Sequence, residues 1–149
     1  MTHIPETALP VNGLVPVATG ANPASAWISP TDHMLYAVVH VTKGNAALTS
    51  FRLRKATSAA GAGAADFGKT VPVWANLNTV AGRNLVRQAN AEIYALDNAA
   101  DGRGQIVVFQ IDPSKLDTDN GFTHVALQIA AGNAANIASV MYFLAPQRY

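Results

Sequence analysis

Five of the eight prolines, Pro5, Pro10, Pro16, Pro23 and Pro30, fall five to seven residues apart across the first 30 positions of this 149-residue chain. Each ring fixes φ and removes a backbone donor, so neither a regular helix nor a central strand can run through this stretch. The residues between the prolines are nonetheless apolar. Leu9, Val11, Leu14, Val15, Val17 and Trp27 are too many for a freely solvated tail. An extended Pro-rich arm over residues 1–30 that docks on something fits both facts. In polyproline geometry residues 1–26 would reach about 80 Å at roughly 3.1 Å per residue, enough to touch a neighbouring subunit or to wrap the arm's own domain. Both destinations are open from sequence.

From His33 the hydrophobic period changes to two. One face of residues 33–42 carries Leu35, Ala37, Val39 and Val41, and the other carries Met34, Tyr36, Val38 and His40. A strand apolar on both faces is either central in a two-layer structure or covered by a partner. Lys43-Gly44-Asn45 reads as a turn, and residues 47–55 alternate next, with Phe51 and Leu53 inward and Ser50, Arg52 and Arg54 outward. The two segments are expected to form a β-hairpin.

Residues 56–68 are small and glycine-bearing, a loop or irregular edge. A strand is expected at 69–77, with Pro72 demoting it to an edge or bulge position. Residues 79–96 fit either a short helix or a strand, with strand character favoured near their end. Residues 105–112 read as a strand with Val107, Phe109 and Ile111 on one face; Asp112-Pro113 then caps a helical turn. Asn120-Gly121 is a hairpin-turn signal, followed by strands at 122–129 and 137–144. Short strands punctuated by Gly and Pro predict an all-β fold, a single β-sandwich or jelly-roll-like domain over residues 31–149 with the arm before it.

The chemistry of an active site is harder to find. No cysteine exists, which removes thiolate metal sites and cysteine nucleophiles. His33 and His40 are seven apart, on opposite faces of one strand, while His3 and His124 lie elsewhere. Gly61-Ala62-Gly63 has Asp66 where a dinucleotide fingerprint needs glycine, and Asp117-Thr118-Asp119-Asn120-Gly121 departs from the calcium-loop frame. Glu6 and Glu92 are the only glutamates, and Ser114-Lys115 has no catalytic spacing. No enzyme, cofactor or metal site is expected. A net charge of +1 and the absence of a basic run with interleaved aromatics argue against nucleic acid and against a polybasic membrane patch.

Composition supplies the positive clue. Only 13% of residues are charged, against roughly 25% in ordinary soluble domains. With 28 alanines in the chain, this reflects either an alanine-rich composition or a surface covered by other subunits. No secretory leader and no run of 18 apolar residues is visible, so use without the usual export route is expected. The candidate interface residues are Leu9, Val11, Leu14, Val15, Val17 and Trp27 on the arm, with Arg52, Arg54 and Trp74 beyond it.

Leu35–Val41, Leu48–Phe67 (LTSFRLRKATSAAGAGAADF), the span VVFQIDPSKLDTDNGFTHV and the closing Ala145-Pro146-Gln147-Arg148-Tyr149 together resemble a group of small structural proteins of tailed bacteriophages. The likeness consists of short matches across most of residues 33–149 and leaves out the Pro-rich start. It implies a virion component, and in particular a capsid decoration or cement protein. Such a protein would be a homotrimer on the outside of the capsid, with itself and the major capsid protein as partners, assembled in the bacterial cytoplasm. A head-fibre base or tail protein is the nearest alternative, and a ligand- or glycan-binding sandwich the next.

Overall fold

Along His33–Thr42 the burial alternates as the period predicts: Leu35, Ala37, Val39 and Val41 are wholly buried, while Met34, Tyr36 and Val38 are half-buried. The computed structural model, which describes residues 8–96 and 103–146, has ten strands. They are β1 (Leu9–Ala18), β2 (His33–Thr42), β3 (Thr49–Ala56), β4 (Ala65–Asp66), β5 (Val71–Asn76), β6 (Val86–Ala91), β7 (Ile93–Leu96), β8 (Gly104–Ile111), β9 (His124–Ala131) and β10 (Ile137–Pro146). Three single-turn 3₁₀ segments are the only helical elements among the described residues.

The strands form two antiparallel sheets, an all-β sandwich. The larger runs β1-β10-β2-β8-β5-β6. In the smaller, β3 pairs with β9 along one side and with β7 and then β4 along the other. Between the sheets lies one core. Leu35, Val39, Val107 and Phe109 come from the larger sheet, and Phe51, Leu53, Leu127 and Ile129 from the smaller.

Each flank of the sandwich is closed by a segment that changes sheets, the usual way a corner is made. On one side the chain enters the larger sheet as β1 beside β10, then crosses to the smaller sheet. There Ala24 and Ile28 bridge to Gln128 and Val125 of β9. On the other side β6 pairs with β5, and after Glu92 the chain continues as β7 beside β3. The described part of the Pro-rich segment therefore docks on its own domain. Its strand is the outermost of the sheet, where a proline need not donate to a ladder.

Several local expectations change. The hairpin expected over residues 33–55 does not form, because β2 spends both sides on other strands: β10 pairs with all ten of its residues and β8 with eight. The 43–48 connection crosses to the second sheet instead. Lys43 is buried there, donating to the Ala47 carbonyl and, at 3.4 Å, to the Thr49 hydroxyl. Ser50, expected outward, is buried at the register shift between Ser50 and Phe51. Gly121 has the expected positive φ of 81°, but it ends a 3₁₀ turn over Thr118–Asn120 rather than a hairpin, since β8 and β9 lie in different sheets. Strand character does hold toward the end of residues 79–96, as β6 and β7 on either side of Glu92. Pro72 sits in a register shift between Val71 and Val73, and the Asp112 carboxylate caps its turn by accepting from Ser114 N at 2.9 Å.

Candidate interaction surface

The second hydrophobic phase of the strands has one place to go. Since the inner face of the larger sheet is filled, the remaining apolar residues lie on its outer face. Met141 of β10 pairs with Val38 of β2, Val38 with Val108 of β8, and Val108 with Trp74 of β5. At about 4.8 Å per strand this makes an apolar row about 14 Å long. Phe143, Tyr36 and Gln110 form the next row on one side, and Ser139, His40, Ile106 and Asn76 the next on the other. Met141 is 45% exposed, and Val38, Val108 and Trp74 are half-buried only by their neighbours in the sheet. Arg87 of β6 closes the first row, its guanidinium 5.0 Å from the Trp74 ring centroid. A cation over the indole face adds attraction without carrying a charge toward the middle of the sheet.

Trp74 is the one residue of the expected interface that lies in this row. The arm residues do not join it. Val11 and Leu14 pack against the core, and Val17 is half-buried opposite Ala138, so β1 engages three of the arm's six apolar side chains within the chain. Leu9 and Val15 are exposed at the flank. Trp27 is half-buried against the 56–68 loop, where a Cβ on Gly61 would sit 2.5 Å from the indole nitrogen. Gly61 also has φ +79°, so its lack of a side chain serves both the turn and the contact. Arg52 and Arg54 lie on the outer face of the smaller sheet and are engaged within the chain. Asp66 is 3.4 Å from Arg52 and 3.3 Å from Arg54, and Arg54 also donates to Gln128 at 2.6 Å. Ile106, Val108, Met141 and Phe143 were not singled out from sequence. The signal that finds them is the same as for Val38, an apolar residue on both phases of an alternating strand.

Buried polar chemistry is concentrated where the arm crosses between sheets. Tyr142 of β10 is fully buried under Gly13, whose Cβ, if present, would sit 2.6 Å from the ring. Its hydroxyl lies 2.5 Å from Ser25 Oγ, and Leu127 N donates to both oxygens at 3.0 Å. Burial pushes the phenol up to about 12, against the hydrogen bonds from Ser25 and Leu127 that favour its ionised form.

Other candidate sites are already satisfied by protein groups. The Asp117 carboxylate accepts from Asn120 at 2.9 Å and from Lys55 at 3.2 Å, in that order the causes that hold it below the usual carboxylate range. Lys55 also lies 4.3 Å from the Phe122 ring centroid. A shallow cleft of about 280 Å³ has Pro30, Pro113 and Leu116 among its walls and Ser29, Thr31 and Thr123 at its rim. Ser29 and Thr31 hydroxyls bond each other at 3.2 Å, and Thr123 bonds His124 Nδ1 at 2.8 Å, so these three hydroxyls are directed at protein. Among the described residues no three His, Cys, Asp or Glu side chains converge on a metal position, and no helix is long and apolar enough to cross a membrane. Comparison with known protein families, with curated proteins and with solved structures finds no match to this chain.

Proposed function

We propose that this protein is an assembly subunit, a capsid decoration protein of a tailed bacteriophage, that acts by burying the outer face of its six-stranded sheet against neighbouring capsid protein. The observation that carries the reading is the in-register row Met141–Val38–Val108–Trp74, an apolar surface in a fold whose core is complete without it. The low charge content and the short likenesses to phage structural proteins support it from the sequence.

The mechanism is additive burial. A specific interface of about 1,600 Å² removes apolar area from water at roughly 25 cal/mol per Å², of which only the surplus over the cost of association appears as affinity. A subunit that bridges neighbouring capsid proteins binds the assembled lattice better than separated subunits, and so stabilises the lattice by mass action. Self-association about a lattice symmetry axis, as a trimer in the form the resemblance implies, multiplies weak contacts through effective concentration.

The test is the copy number of the chain relative to major capsid protein in purified particles, by quantitative mass spectrometry, for wild type and for Val108→Lys. Hundreds of copies in a simple ratio, lost in the variant, are expected. A dozen copies or fewer would move the protein to a vertex or tail, and absence from particles would overturn the virion reading.

A further inference from the structure

Thr31 stands in a backbone conformation that its side chain resists. Its φ is +45°, in the left-handed region that a β-branched residue avoids, at a cost equivalent to a factor of roughly ten or more. The other described non-glycine with positive φ is Asn22, a residue type that tolerates it. Thr31 lies in the turn that joins the arm to β2, closed by His33 N donating to the Pro30 carbonyl at 2.9 Å. Thr31 and Asp32 are exposed, and one side of the turn faces the shallow cleft rather than a packed neighbour. The bonds that seat the arm reach residues far beyond that turn. β1 pairs with β10, Thr19 N donates to Asn136 O at 2.8 Å, Ser25 N to Leu127 O at 2.8 Å and Ile28 N to Val125 O at 2.9 Å. The arm also holds its own shape, with Ala26 N donating to Gly13 O at 2.7 Å.

We infer that the arm, residues 8–29, is exchanged between copies of the chain, the Pro30–Asp32 turn opening so that each arm completes the sandwich of a second copy. Short hinge loops under strain invite such a swap. Since the bonds named above between arm and sandwich recur unchanged in the exchanged form, the hinge and the concentration decide the balance. A short linker gives an arm an effective concentration in the millimolar range for its own sheet. Opening the turn lets Thr31 return to extended backbone in both copies of a pair. That is worth about a hundredfold, so exchange is expected from about 10 μM. A second copy, unlike an unrelated partner, brings the one segment whose register already fits the vacated sides of β10 and β9. Reciprocal exchange in a pair is the smallest closed form, and a ring of three works in the same way. The contact involves the arm, not the outer sheet face invoked for capsid binding, and it is tested on purified protein with no particle present.

The experiment is the mass of the full chain by light scattering and sedimentation across a concentration series, with a cysteine pair to report where the arm lies. The chain has no cysteine of its own. Asn12 of β1 and Met141 of β10 are exposed and directly opposite each other, within disulfide reach. Asn12→Cys with Met141→Cys, oxidised well above the exchange concentration, is expected to give covalently linked copies on a denaturing gel. Thr31→Gly, which removes the strain from the closed turn, should weaken association about a hundredfold. Thr31→Pro, whose ring forbids a positive φ, should strengthen it. A disulfide that forms only within single chains would overturn the inference, whatever the mass. So would an oligomer that forms equally in wild type and Thr31→Gly. If Thr31→Pro does not fold, the cysteine pair and Thr31→Gly decide the matter without it.

Discussion

Tyr142 couples three segments through one oxygen. Its ring is seated under Gly13, and its hydroxyl reaches Ser25 on the crossing arm and the backbone of Leu127 on β9. Replacing it with Phe leaves Leu127 N still bonded to Ser25, so the expected cost is about 1 kcal/mol rather than that of an orphaned donor. The larger effect is on pH dependence. In the unfolded chain the phenol ionises near 10, and in the folded chain near 12. Above pH 10 the unfolded state therefore loses its proton first. The stabilisation is complete below pH 10 and is lost as pH rises toward 12, amounting to about 3 kcal/mol at 1.36 kcal/mol per unit. Urea unfolding from pH 9 to 11.5 should show this decline in wild type and a much flatter profile in Tyr142→Phe; equal slopes would remove Tyr142 as the cause. Nothing in the sequence marks Tyr142, because its partners come from segments 15 and 117 residues away. Arg52 and Arg54 were placed correctly on an outward face, yet their partner Asp66 became visible only once β4 was seen against β3.

At the scale of elements, local alternation identified strands well and their neighbours poorly. The bounds of β2 follow from its two apolar phases and the turn residues that end it. Pairing is a different kind of information, since it depends on which edges compete for the same strand. β2 and β3 are consecutive and both strand-like, but β10 and β8 had the longer ladders to offer β2. The same blindness affects the Pro-rich segment, whose prolines limit it to an edge without saying whose. Because β1 supplies that edge and half-buries Val11, Leu14 and Val17, deleting residues 1–18 should cost about 3–5 kcal/mol and leave β10 as an open edge. Thermal melting should fall and light scattering should report association of the truncated chain. A truncated protein that melts like wild type and stays dispersed would show β1 to be dispensable.

For the whole molecule, the informative property is the mismatch between a finished core and an unfinished surface. The sequence made the mismatch legible as apolar residues on both phases of one strand, together with a charge content of 13%. Which face would be left bare depended on the sheet order, because only the strands of the larger sheet line up Met141, Val38, Val108 and Trp74 in one row. On the proposed function, binding through that row would be hydrophobic in origin, and its thermodynamics should carry that mark. Calorimetry of particle binding across temperature should give a negative heat-capacity change, and sulfate should strengthen the association. Weakening by moderate salt with no heat-capacity change would instead assign binding to charged groups.

The closure of the sandwich also fixes an order in time. β1 is made early, and its ladder partner β10 begins at residue 137. At roughly 5–20 residues per second of synthesis, the chain from Ala18 to Ile137 takes about 6–24 s to appear. Throughout that interval the first strand has no native ladder partner. Pro10 and Pro16, which look like defects in a finished ladder, are then its protection, because a segment that donates few hydrogen bonds is a poor template for any chain it meets while it waits.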